Sequence, residues 1–107
     1  MSNQGLKAVL SELKDRLSDL YGDRLVELIL YGSQARGDAE DGSDIDVLVV
    51  LRGQVNACDE IERSGDIVAR LSLDNDVVIS CVFLSEDYYL RRNGPLLRNV
   101  RREGVRL

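Results

Sequence analysis

Two aspartates separated by one residue, Asp44 and Asp46, stand at the head of the apolar run Val47-Leu48-Val49-Val50-Leu51. Side chains of an extended strand alternate between faces, so these carboxylates point one way while Ile45, Val47 and Val49 point the other. Such a pair can hold two divalent ions about 4 Å apart, the spacing that stabilises both the attacking and the leaving oxygen in phosphoryl transfer. Carboxylate oxygens suit Mg²⁺, which completes its shell with water and substrate phosphates. Upstream, a second apolar run, Leu25 to Tyr31, stops at Gly32-Ser33. A glycine lets backbone approach a phosphate closely, and the Ser33 hydroxyl can donate to it. A helix beginning at Gln34 would aim free amides and a positive dipole end at the same anion. Phosphate and metal would then meet between two strands. No Lys-Ser or Lys-Thr follows the glycine, which sets aside a Walker phosphate loop.

Each feature also has a purely structural reading. Gly32 can simply end a strand in a turn, and Asp44 and Asp46 can be solvated residues that discourage edge pairing. Asp38, Glu40, Asp41, Asp44 and Asp46 crowd one loop, and like charges so close call for cations or solvent to screen them. Asp38, Glu40 and Asp41 read as solvated loop acids. Arg36 either anchors this acidic loop or shapes the phosphate pocket, with the balance toward anchoring.

The elements that must position these residues follow from periodicity. Leu6, Val9, Leu10, Leu13, Leu17 and Leu20 recur at helical spacing between Ser2 and Leu20, and Tyr21-Gly22-Asp23 breaks the pattern. The strand Leu25 to Tyr31 follows, then a short helix from Gln34 to Asp38, the turn Asp41-Gly42-Ser43 and a strand ending at Arg52-Gly53. Ala57, Cys58, Ile61, Val68, Leu71 and Leu73 predict a second long helix over Val55 to Leu73, with Gly65 as its weak point. Asp76 to Leu84 is rich in β-branched residues and reads as a third strand. Ser85 suits a helix N-cap with Glu86 and Asp87 in the first turn. Tyr88 and Tyr89 read as core or rim aromatics. After Asn93-Gly94-Pro95, one last helical stripe carries Leu96, Leu97 and Val100. The predicted class is α+β: a small mixed sheet with helices packed against it, as one domain over 1–107. The connection between the first two strands is too short for a parallel crossover, so they should run antiparallel.

Composition narrows the function further. The net charge of −5 argues against general nucleic-acid binding. The charge is uneven: residues 1–89 balance at −10, while residues 90–107 carry six arginines against one glutamate, or +5. With no histidine, Ser-His and Cys-His catalysis is excluded and acid–base work falls to carboxylates. Cys58 and Cys81 lack zinc-site spacing and read as buried reduced thiols. No stretch is long and apolar enough to cross a membrane, and the amino terminus turns polar at once, so a cytoplasmic location is expected. Nothing in the composition speaks against self-association.

The order Gly32-Ser33, Arg36-Gly37, a short loop, then Ser43-Asp44-Ile45-Asp46 leading into a strand resembles the nucleotidyltransferases of the DNA polymerase beta superfamily. Within it, the chain is similar to the minimal nucleotidyltransferases. The segment Pro95 to Val105 also resembles the closing segment of members encoded beside a helical HEPN partner. The resemblance implies a nucleotidyltransferase, polymerase-beta-like palm fold. It implies Mg²⁺-dependent transfer of a nucleoside monophosphate, AMP from ATP, to a hydroxyl acceptor, as on a HEPN toxin by its antitoxin. Gly32, Ser33 and Arg36 would bind the nucleotide, and Asp44 and Asp46 the two metals. The superfamily's third carboxylate, on the neighbouring strand, would fall to Asp76, with Asp74 as the alternate. The competing reading is a non-catalytic interaction module that neutralises or scaffolds a partner by binding alone. In either case the tail, with Leu96, Leu97 and Val100 beside its arginines, is the expected partner surface.

Overall fold

The computed structural model describes residues 2–40 and 42–107. The amphipathic amino-terminal segment forms α1 (Asn3–Tyr21), whose cap Ser2 accepts a hydrogen bond from the Gly5 amide at 3.0 Å. A single 3₁₀ turn, Gly22–Arg24, leads into β1 (Leu25–Tyr31). Next come α2 (Ser33–Arg36), β2 (Ile45–Leu51), α3 (Ala57–Asp74) and β3 (Ile79–Ser85). The chain closes with α4 (Glu86–Arg91), α5 (Pro95–Glu103) and β4 (Val105–Arg106).

The four strands lie in the order β3-β2-β1-β4. β1 runs antiparallel to β2, as the short connection between them requires, and α3 provides the crossover that makes β3 parallel to β2. This is the mixed sheet predicted above. Val47 to Leu51 of β2 are fully buried, because helices cover both faces of this strand and its apolar residues are near-continuous. One face carries Leu28, Leu30, Val47 and Val49 against α1 and α3; the other packs Ile29, Leu48 and Val50 against Leu97 and Val100 of α5. Among the described residues, no helix is long and apolar enough to cross a membrane.

Four expectations need correction. The third strand begins at Ile79 rather than Asp76, because α3 runs on to Asp74 and the chain must turn through Asn75 and Asp76, the latter at φ +51°. Cys58 is exposed in the first turn of α3, while Cys81 is partly buried and burial pushes its thiol up to about 12. The apolar stripe of the tail is spent inside the molecule, with Leu97 and Val100 buried on the sheet and Leu96 left at its margin. Beyond Gly104 the tail forms β4, which the helical pattern did not announce. Its Leu107 amide donates to the Leu28 carbonyl at 2.9 Å. A side chain on Gly104 would run into the Val100 carbonyl and Ile29, so only glycine lets α5 turn into the sheet there. The turn residue Asp41 lies outside the described residues.

A buried carboxylate joins the two long helices. Glu60 of α3 is 3 % exposed. It accepts from the Tyr21 hydroxyl at 3.0 Å and from Arg63 at 2.8 Å, and Arg24 lies 3.6 Å from its second oxygen. Burial first, then the Glu60 hydrogen bond, raises the Tyr21 phenol above its ordinary value. Tyr21→Phe should therefore cost about 1.5–3 kcal/mol in denaturant unfolding, the range for a hydrogen bond to a charged group. A loss indistinguishable from zero would mean Arg63 and Arg24 suffice to hold Glu60.

Candidate active site

Asp46 is the second residue of β2, opposite Tyr31 of β1 on one side and beside Ser80 of β3 on the other. Ile45 before it and Val47 after it are fully buried in the α1/α3 face, so strand alternation turns Asp46 to the face it shares with Leu48 and Val50, where it stays partly exposed at the head of the strand. Asp44 precedes the strand and is exposed. Burial first, and then the neighbouring Asp44 charge, hold the Asp46 carboxyl above the usual carboxylate range. Burial, followed by the Asp46 charge, also raises the Tyr31 phenol.

Gly32 meets Asp46 across the β1–β2 pair. Its backbone stands at φ +76°, ψ −157°, a combination essentially restricted to glycine. A Cβ built there would lie 2.6 Å from Asp46 Oδ2. The carboxylate thus rests against bare backbone at the residue that leads into α2. Ser33 opens α2 directly after Gly32, with no side-chain cap over the helix start, so the first amides of this turn are free to meet an anion. The Gly32 carbonyl accepts from the Ala35 and Arg36 amides at 3.1 Å each, and Gly37, at φ +81°, closes the turn.

Ser43 is the residue that the sequence reading left without a role. Its hydroxyl accepts from the Glu40 amide at 3.0 Å, and its own amide donates to the Glu40 carbonyl at 3.0 Å. Gln34 Nε2 reaches the Ser43 carbonyl at 3.4 Å. The loop is thereby clamped on itself and tied to α2, which fixes the approach of Asp44 and Asp46. The position of Ser43 directly before the aspartate pair was the available signal. Arg36 pairs with Asp38 and with Glu103 of α5, both at 3.1 Å, an arrangement that anchors the loop and the tail together. Its guanidinium is nonetheless about half exposed.

The third carboxylate expected at Asp76 is not gathered with the other two. On β3 the position flanking Asp46 is Ser80. Asp76 instead lines a polar cavity of about 400 Å³ with Gln34, Glu40 and Ser43. Asp74, the alternate, is the exposed last residue of α3. Among the described residues, no group of three acids or thiols could enclose a metal ion. The donor set nonetheless fits a divalent cation of the Mg²⁺ kind. Two carboxylates at one strand head provide hard oxygen ligands, and Mg²⁺ takes the rest of its shell from water and substrate phosphates.

Comparison with known proteins places the chain in a family and a fold. Residues 10–102 match the family described as the nucleotidyltransferase domain. The provisionally named protein adenylyltransferase MJ0604 of Methanocaldococcus jannaschii is 35% identical over 96 residues, covering 89% of this chain and 90% of its own. A provisionally named minimal nucleotidyltransferase of solved structure superposes with a TM-score of 0.68 at 21% identity, covering 100% of this chain and 97% of its own. A tri-AMPylated Shewanella oneidensis HEPN toxin in complex with an MNT antitoxin also matches, with a TM-score of 0.57 at 17% identity, covering 99% of this chain and 71% of that one. At these identities the solved structures establish the fold.

Proposed function

The chain belongs to the nucleotidyltransferase domain family, and from that premise we propose that it transfers AMP from ATP to a hydroxyl acceptor on a partner protein. The observation that carries this reading is Asp46 packed against the Gly32 backbone, with Asp44 beside it and the start of α2 opening on the same side. Asp44 and Asp46 hold Mg²⁺, while Ser33 and the first amides of α2 receive the phosphates and Arg36 borders them. The bound ion supplies charge stabilisation to the transferring phosphoryl group and its leaving oxygen. The protein's own part is to hold the two carboxylates together at the head of β2 and to fix the triphosphate relative to them.

Calorimetric titration with Mg²⁺ and ATP tests the site. The parent should bind, and the double variant Asp44→Asn, Asp46→Asn should show at least about tenfold weaker affinity, since each lost carboxylate removes a charged ligand. Equal binding by both proteins would remove the metal site. Asp76→Asn, by contrast, should leave Mg²⁺–ATP affinity within about twofold, because Asp76 faces the neighbouring cavity rather than the pair. A fall comparable to that of Asp46→Asn would return Asp76 to the metal set.

For the acceptor, resemblance and the neighbouring toxin–antitoxin complex support a HEPN-type partner. The binding-only alternative rests on one observation, that two rather than three carboxylates meet at the site among the described residues. Incubation of the co-purified pair with labelled ATP separates the two readings. Label on the partner that disappears in Asp44→Asn supports transfer, whereas partner inhibition indifferent to that substitution supports binding alone.

The partner surface proposed for the tail is redrawn by the packing. Arg101 donates to the Asn93 side chain, to the Arg92 carbonyl and to the Tyr89 carbonyl, so it braces the α4–α5 connection. Exposed Arg98 and Arg102, with Leu90 and Tyr88 also exposed nearby in sequence, are better placed to meet an acidic partner. Reversing Arg98 and Arg102 to Glu should weaken capture of the HEPN-type protein about tenfold while ATP binding holds. Unchanged capture would place the interface elsewhere.

A further inference from the structure

We propose that the groove between α3 and the edge strand β3 receives an extended peptide segment of another protein, added to the sheet beside β3 and carrying lysine or arginine at its ends. The observations are independent of the nucleotide site. β3 lies at the outer edge of the sheet and, among the described residues, has β2 as its one strand neighbour. Its seven residues, Ile79 to Ser85, include no charge and no proline, the two devices that commonly protect an edge from pairing.

The direction of its backbone groups is set by two bonds. The Val78 carbonyl points inward to the Ile45 amide at 2.9 Å, and the Ile79 amide points outward to the Ser72 hydroxyl at 3.3 Å. Strand alternation therefore turns the amides of Cys81 and Phe83 outward as well, where an added strand would meet them.

Beside this edge runs a groove of about 360 Å³, lined by Ile61, Gly65 and Val68 of α3 and by Ile79, Cys81 and Phe83 of β3. Gly65 sits in the middle of an 18-residue helix, where glycine costs about 1 kcal/mol relative to alanine. A Cβ there would meet nothing within 4 Å, so the glycine is not needed for the packing of this chain and instead widens the groove. Ile61 and Val78, each 56 % exposed, leave apolar surface at the groove margins. An edge strand beside a helix, with an apolar channel between, is the arrangement in which main-chain bonds give affinity and alternate side chains give specificity.

Charge selects the occupant. Glu62 and Asp66 are exposed on α3 one residue beyond Ile61 and Gly65, Asp74 and Asp76 precede β3, and Glu86 and Asp87 follow it, Asp87 in an exposed pair with Arg91 at 2.8 Å. Pairing of β3 with itself across a two-fold axis would bring the acids before one strand to the acids after the other, which disfavours a second copy. A segment with basic ends is complementary to both rims.

The test uses the whole chain and a labelled synthetic peptide of alternating valine and threonine with two lysines at each end, against the same core with glutamate ends. The lysine-ended peptide should bind about tenfold or more tightly than its counterpart. On binding, amide hydrogen exchange should slow at Cys81 and Phe83 and stay unchanged at Ser80 and Val82, which already face β2. Gly65→Leu, which fills the channel and favours the helix, should weaken binding about tenfold without lowering the melting temperature. Should that variant fold poorly, Glu62→Lys with Asp66→Lys must reverse the peptide preference. Absence of binding, indifference to these substitutions, or protection of Cys81 and Phe83 in a dimer of the free protein would each overturn the proposal.

Discussion

Asp46→Asn should reduce nucleotide transfer by about 10²–10³-fold, the loss typical of removing one preorganised charge-stabilising group, while leaving the metal-free protein at least as stable as the parent. The stability half follows from the direction of the Asp46 shift. Burial and the Asp44 charge raise its pKa in the folded chain, so the folded state holds the proton more tightly than the unfolded one. Its contribution is fully present below the unfolded value, near 3.9, and is lost as pH rises through the folded value. At neutral pH the ionised carboxylate is a net cost to the fold, and asparagine removes it. Metal-free Asp46→Asn should therefore melt at or above the parent at pH 7–8, with the difference closing below about pH 4. Mg²⁺ with ATP should raise the melting temperature of the parent and fail to raise that of the variant. A variant that melts well below the parent without metal would show Asp46 to be a packing residue first.

Gly32→Ala should damage both stability and activity, because two independent constraints meet at one backbone atom. The φ and ψ of Gly32 lie in the region essentially closed to other residues, and holding alanine there costs about 1–3 kcal/mol. The added methyl would also stand 2.6 Å from Asp46 Oδ2, so the carboxylate must move away from the start of α2. Urea unfolding should record the first effect, and titration with Mg²⁺ and ATP the second. Combining Gly32→Ala with Asp46→Ser separates them, because the shorter side chain relieves the contact and leaves the backbone strain. The two substitutions should be markedly non-additive in stability, as expected for atoms in direct contact. Additivity would mean that the methyl and the carboxylate do not meet. Gly37 and Gly53, also at positive φ but with open space around them, should pay the backbone strain alone when changed to alanine.

The order of elements from α1 to α5, the span of β1, the antiparallel β1–β2 pair and the nucleotidyltransferase motif were readable in the amino acids, since each depends on neighbours within a few residues. Alternation put Ile45, Val47 and Val49 in the core and turned Asp46 outward, and Ser85 announced the start of α4 by its chemistry. The clamp at Ser43, the link from Arg36 to Glu103 and the buried Glu60 were not readable, because each is completed by a residue distant in the chain or by backbone that only the turn brings near. The neighbour of Asp46 on β3 depended on where α3 ended. A helix running on to Asp74 pushed Asp76 into the turn and brought Ser80 level with the carboxylate. The tail shows the same limit: helical spacing exposed the stripe of Leu97 and Val100, but whether a partner or the sheet would cover it was decided when Gly104 let the chain return as β4 beside β1. Local periodicity specifies which face of an element is apolar, and only the register of packed elements specifies what that face meets.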